Sequence, residues 1–220
     1  QGLDISYNIL NLPSVVTGEN GMDTRYRYLS DGTRRSVSSG DESGSGTVLY
    51  LGAFVYDLYT DASDDALDFT ELQSVATPEG RLMPSEDGVI DLWYAKDHLG
   101  NVRDIVSISD LPQVLEKNDY LPFGTRTVNA SAPVLEDNRW RYAGKEEQAA
   151  LVGSDKCALI DFGARLYDPW TARWTTPDPM AGKYTSMAPH NYCAGNPVMF
   201  VDPDGRGVFI GRETIKNFRE

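Results

Sequence analysis

"GVIDLWYAKDHLGNVRDIVSI", residues 88–108, decides the class of fold. It reads as two strands around a turn at Leu99, Gly100 and Asn101. The same reading repeats outward in both directions. "RYRYLSDGTRRSV", residues 25–37, alternates around Asp31-Gly32, a strong short hairpin signal. "TVLYLGAFVYDLYT", residues 47–60, gives two strands broken near Gly52. "KNDYLPFGTRTV", residues 117–128, is a strand, a turn at Pro122, Phe123 and Gly124, and another strand. "TPEGRLMP", residues 77–84, carries at most one turn. In "RYAGKEEQAALVGSD", residues 141–155, the periodicity predicts a short helix with Lys145 to Leu151 as its body.

These stretches share a degenerate repeat: an aromatic ring, a turn with glycine, a small polar residue, arginine, then a β-branched strand. Its copies are Tyr28 to Arg34, Tyr94 to Arg103, Tyr120 to Arg126 and Phe162 to Arg165. Successive glycines at 100, 124, 144 and 163 stand 24, 20 and 19 residues apart. A period near 20 built from hairpins means an extended sheet or solenoid, because one hairpin alone cannot bury its aromatic face. Cross-strand aromatic and Arg–aromatic contacts are expected to hold it. "SSGDESGSGT", residues 38–47, is a polar hairpin tip, and the acidic "TDASDDALDFTE", residues 60–71, is a solvated loop. The latter lacks the turn glycine that a calcium loop wants.

Composition sets bounds. The chain has 220 residues, a hydrophobic content of 40% and a formal charge of −13. One domain is expected, with a real core and no wholesale disorder. Such a surface repels phosphates, which argues against nucleic acid as a partner. No apolar run is long enough to span a membrane as a helix. Two histidines, His98 and His190, are few for a metal site, and no cofactor is implied. Two cysteines, Cys157 and Cys193, make no disulfide framework. The chain opens and closes mid-pattern, so a piece of a longer polypeptide is expected. Asn129-Ala130-Ser131 forms a glycosylation sequon, of use only in a eukaryotic secretory setting.

"RLYDPWTARWTTPDPM", residues 165–180, holds two Asp-Pro pairs, at Asp168-Pro169 and Asp178-Pro179. Each could start an Asx turn. The two could also form a carboxylate pair, because two carboxylates held close share a proton and divide acid and base roles. Asp202-Pro203 and Asn196-Pro197 read as turns. Tyr167, Trp170, Trp174 and Tyr192 could stack sugars or pack a core. His98 reads as a turn residue.

The repeats resemble the YD repeats of Rhs proteins. The run from Ala164 to Gly205 resembles the Rhs repeat-associated core through Arg165, Tyr167-Asp168-Pro169, Arg173-Trp174, Thr176, Asp178-Pro179, Asn191-Tyr192, Asn196-Pro197 and Asp202-Pro203-Asp204-Gly205. The resemblance implies a mainly β fold: antiparallel YD-repeat hairpins forming a curved sheet or partial shell, closed by the core. It divides the chain into a repeat region, 1–145, a core, 146–205, and the start of a variable C-terminal region, 206–220. It implies the C-terminal part of a secreted or cell-surface bacterial protein that encapsulates or presents an effector toxin held in cis. A secretion-system component or an immunity protein is a further expected partner, and an incomplete shell would leave sheet edges open to self-association.

In several members, including the C component of Tc toxins, the core cuts the chain just after the closing motif. The resemblance gives the cutting pair as Asp168 and Asp178, with Arg165 beside them, and the cut near Gly205 and Arg206. Two positions depart from the pattern. Arg206 stands where self-cleaving members carry Leu, and a leucine pocket would take a guanidinium badly. Ala172 stands where the family has Gly, which matters if the backbone there needs a positive φ. Three readings follow: a scaffold for an effector, an intramolecular aspartyl protease, and a module for cell-surface carbohydrate.

Overall fold

The computed structural model describes residues 4–18, 23–41, 44–60, 67–86, 88–127, 132–148, 159–183 and 185–210. Strands and turns make up nearly all of it. Among the described residues the only helical pieces are 3-10 turns at Tyr142–Gly144, Ala181–Lys183 and Cys193–Gly195. The chain forms two compact units, one of residues 1–93, 107–113 and 149–156, the other of 94–106, 114–148 and 157–220.

The first unit is an antiparallel meander. Its strands are β1 (Asp4–Tyr7), β2 (Pro13–Thr17), β3 (Asp23–Tyr28), β4 (Arg34–Asp41), β5 (Gly44–Leu51), β6 (Phe54–Thr60), β7 (Leu67–Ala76), β8 (Gly80–Ser85) and most of β9 (Gly88–Lys96). Each pairs with the next in sequence. The period-2 rule is visible in β3, where Thr24 and Tyr26 are buried and their neighbours are not. Tyr26 lies opposite Val37, and Val37 opposite Val48, so one buried row crosses three strands. At the first hairpin Asp31 accepts the Thr33 N–H and the Leu29 and Gly32 backbones close the turn, as the Asp-Gly pair predicted. Leu51 opposite Phe54 leaves Gly52 and Ala53 as the turn between β5 and β6. Arg34 lies over the Tyr50 ring at 4.3 Å, an Arg–aromatic contact of the expected kind. Most of residues 38–47 is strand ladder rather than loop, with Asp41 opposite Gly44.

The second unit begins in β9 and continues with most of β10 (Val102–Ile108) and of β11 (Gln113–Lys117). Asp97 accepts the backbone N–H of Leu99 and Asn101 and closes the turn quoted at the outset. Short strands follow: β12 (Asp119–Tyr120) with β13 (Arg126–Thr127), then a four-stranded sheet of β14 (Glu146–Glu147), β15 (Ile160–Asp161), β16 (Leu166–Asp168) and β17 (Arg173–Trp174). β18 (Phe200–Val201) pairs with β19 (Phe209–Ile210).

The helix expected from Lys145 does not form over its described part. Glu146 pairs with Asp161 and Glu147 with Ile160, as strand β14, while residues 149–151 lie outside the described set. Burial decides this: Glu146 is buried against Arg139 and Gln148 is fully buried, so tertiary pairing overrides local periodicity. Residues 61–66 of the acidic loop, the sequon and Cys157 also lie outside the described residues.

A cluster of rings forms the core of the second unit: Tyr142, Phe162, Tyr167, Trp174 and Tyr192. Tyr167 and Tyr192 stack at 4.1 Å, and Phe162 meets Trp174 edge-on at 5.1 Å. The buried hydroxyls are satisfied by backbone: Tyr167 donates to Phe123 O at 2.8 Å and Tyr142 to Pro122 O at 3.2 Å. The turn at 122–124 is thereby locked onto the core. Gly124 has φ +92°, and a Cβ there would sit 2.7 Å from the Tyr142 ring.

Candidate functional site

The strand order of the small sheet decides which core residues meet. Tyr167 lies opposite Trp174 and Asp168 opposite Arg173, so Arg165, just before β16, projects beside the Trp174 ring. Its guanidinium stands 4.0 Å over that ring, with the side chain 1% exposed. A buried cation needs compensation. Arg165 receives it from Asp178 Oδ2 at 3.1 Å and Asp202 Oδ2 at 3.2 Å, both on Nη2. Nε donates to the Gly205 carbonyl at 2.5 Å. Nη1 is buried and has no hydrogen-bond partner among the described residues.

Asp202 works from the other side of the same segment. Its carboxylate is fully buried, and Oδ1 accepts N–H groups from Gly205 at 2.7 Å, Arg206 at 3.1 Å, and Asp204 and Gly207 at 3.4 Å. Burial raises its pKa, with Arg165 opposing the rise. Burial likewise lowers the Arg165 pKa against the pull of Asp178 and Asp202. Gly205 adopts φ +79°, and a Cβ there would lie 3.1 Å from the Arg165 nitrogen. The segment 202–207 is therefore held by its carbonyl on one side and its amides on the other. Lys145 adds positive potential nearby: its amine lies over the Phe162 ring, and burial lowers its pKa against Asp161, Asp204 and Asp202.

The two aspartates of the expected pair hold different partners. Asp168 accepts the Trp170 N–H at 2.9 Å and the Thr171 hydroxyl at 2.8 Å, an Asx turn. Asp178 binds Arg165 through Oδ2 and accepts the Met180 N–H through Oδ1 at 2.7 Å. Among the described residues no hydrogen bond joins Asp168 to Asp178. The shared guanidinium brings Asp178 together with Asp202, a position that Asp202-Pro203 marks in sequence only as a turn. The signal lay in "DPDG": an aspartate ahead of a positive-φ glycine collects the following N–H groups. Asp178 is 14% exposed and lines a small, water-sized cleft with Ala181, Met187, Ala188, Pro189, Asn191 and Val208.

The remaining motif residues have structural places. Asn191 bridges to Arg173, and the Asn196 carbonyl closes the turn that Asn196-Pro197 predicted. Pro169 offers its carbonyl to Thr125. Of the rings considered for sugar stacking, Tyr167, Trp174 and Tyr192 are buried and only Trp170, 64% exposed, presents a face. Arg206 is exposed, so its guanidinium meets water rather than an apolar pocket. Cys193 is a buried free thiol whose pKa burial pushes up to about 12, which keeps it protonated and unreactive at neutral pH. His98 sits in its turn with Nε2 3.3 Å from Val198 O. Among the described residues there is no cluster of metal-ligating side chains.

No protein-family model matches the chain. Curated relatives do. Toxin subunit YenC1 of Yersinia entomophaga is 26% identical over 226 residues, 94% of this chain and 22% of that protein. The tRNA3(Ser)-specific nuclease WapA of Bacillus spizizenii is 28% identical over 206 residues, 91% of this chain and 8% of that protein. This chain thus spans only a minor part of either relative. Among solved structures, TcdB2-TccC3 superposes with a TM-score of 0.75 at 23% identity, over 93% of this chain and 10% of that one, which shows a common fold. With its hairpin repeat, its core motif and these relatives, the chain is similar to segments of Rhs-type toxin components and shares the fold of the Rhs/YD-repeat structures.

Proposed function

We propose that this chain is the C-terminal shell and core segment of an exported bacterial Rhs-type protein, and that its core grips the junction to a C-terminal effector held in cis. The observation that carries this is the double hold on residues 202–207. Arg165 takes the Gly205 carbonyl and Asp202 takes the amides that follow, both from full burial. A chain anchored so firmly just past its core motif presents whatever follows from a fixed point. The test uses the parent polypeptide with its natural continuation, exposed to an external protease. The segment beyond residue 220 should survive much longer than the same segment made alone. Equal digestion rates would overturn the enclosure.

A second reading is self-hydrolysis at this junction, with Asp168, Asp178 and Arg165 as the family-implied set. Its support is that one guanidinium contacts both Asp178 and the Gly205 carbonyl. Here Asp178, with access to solvent through its cleft, suits the activation of water. Asp168 would act by fixing the turn that precedes β17.

A further inference from the structure

We propose that residues 207–210, which follow the core motif, are a docking strand. The core takes the start of its C-terminal continuation as extended backbone along β18 and reads a side chain at one position, Val208. This rests on the reading that the core grips the junction, and it names what that grip recognises in the chain beyond.

Three observations build this segment into the core. β19 runs antiparallel to β18, with Val201 opposite Phe209 and Phe200 opposite Ile210. β18 is itself fixed, because Phe200 packs against the ring cluster that holds Tyr167, Trp174 and Tyr192. The turn between the two strands is set by Asp202, whose Oδ1 accepts the N–H groups of Gly205, Arg206 and Gly207. Gly207 is buried, and half-buried Val208 forms a wall of the small cleft with Asp178, Ala181, Met187 and Pro189. In this account the core reaches residue 210, and the boundary at Arg206 expected from sequence falls inside a hairpin.

The chemistry of the hold sets what it accepts. Strand pairing uses main-chain N–H and C=O groups, so it gives affinity without reading sequence. Proline, which lacks the N–H, is disfavoured at the paired positions. Side chains are read at 208, where the cleft is water-sized and most of its lining residues are apolar. Val208 is small and aliphatic and suits them. An aspartate there would set a second carboxylate beside Asp178, a like-charge pair in a partly buried site. The partner is therefore a short extended segment with a small aliphatic residue at 208, and the residues past 210 are free to vary.

The parent polypeptide is compared with its Val208→Ala and Val208→Asp variants by hydrogen exchange resolved to single amides. In the parent and in Val208→Ala, at least one of the Phe209 and Ile210 amides should exchange ~100-fold or more slower than in an unstructured peptide. In Val208→Asp that protection should be lost, with the Tyr167 and Trp174 amides unchanged. Free exchange at Phe209 and Ile210 in the parent, with slow exchange at Gly205 and Arg206, overturns the docking strand and leaves the grip on 202–207 standing. Free exchange at all four overturns both. Protection that survives Val208→Asp overturns the selection at 208. Should Val208→Asp also loosen Tyr167 and Trp174, Val208→Asn, similar in size and uncharged, decides the selection. Lost protection at 209–210 with the core amides intact supports it, and parent-like exchange overturns it.

Discussion

Single residues carry strain and charge that can be measured. Ala172 sits at φ +58°, in the left-handed region that costs an L side chain about 1–2 kcal/mol. Ala172→Gly relieves this but adds unfolded-chain entropy, so a net gain of about 0.5–1 kcal/mol is expected in urea denaturation. Gly124→Ala must push the Tyr142 ring, the centre of the aromatic core. A loss of about 1–3 kcal/mol is expected from the same measurement. Asp202→Ala strands Arg165 and several amides in the interior and should cost about 3–5 kcal/mol. Asp202→Asn keeps the Oδ1 acceptor and should cost clearly less. Equal losses for the two would show that the amide hold contributes nothing.

At the scale of elements, hairpins were legible because their information is local. Asp31-Gly32 and the Leu99-Gly100-Asn101 turn need only a positive-φ glycine and a short acceptor, and both formed. Strand β14 was not legible. Its two glutamates, flanked by Lys145 and Gln148, suit a helix in isolation, and only the partner strand β15, more than a dozen residues away, makes them a strand. The site was half legible for the same reason. Arg165, Asp178 and the 205–206 region are what the resemblance to the Rhs core implies. The partnership of Asp178 with Asp202, 24 residues apart, depends on a buried guanidinium that no local pattern reveals.

At the scale of the molecule, the second unit rests on buried tyrosines. Burial raises the pKa of Tyr120, Tyr142, Tyr167 and Tyr192 above the ordinary 10.0. The folded state thus keeps protons that the unfolded state loses. Their contribution is fully present below pH 10 and falls as pH rises through and above it, by about 1.4 kcal/mol per pH unit for each ring. Denaturation curves from pH 9 to 12 should show that steep loss, and flat stability there would contradict the buried core. The central claim, that the core grips the chain at 202–207, is tested most directly by hydrogen exchange at the Gly205 and Arg206 amides. Exchange as slow as that of the sheet amides, abolished by Asp202→Ala, is the expected result. Exchange at the rate of an unstructured peptide would contradict the account.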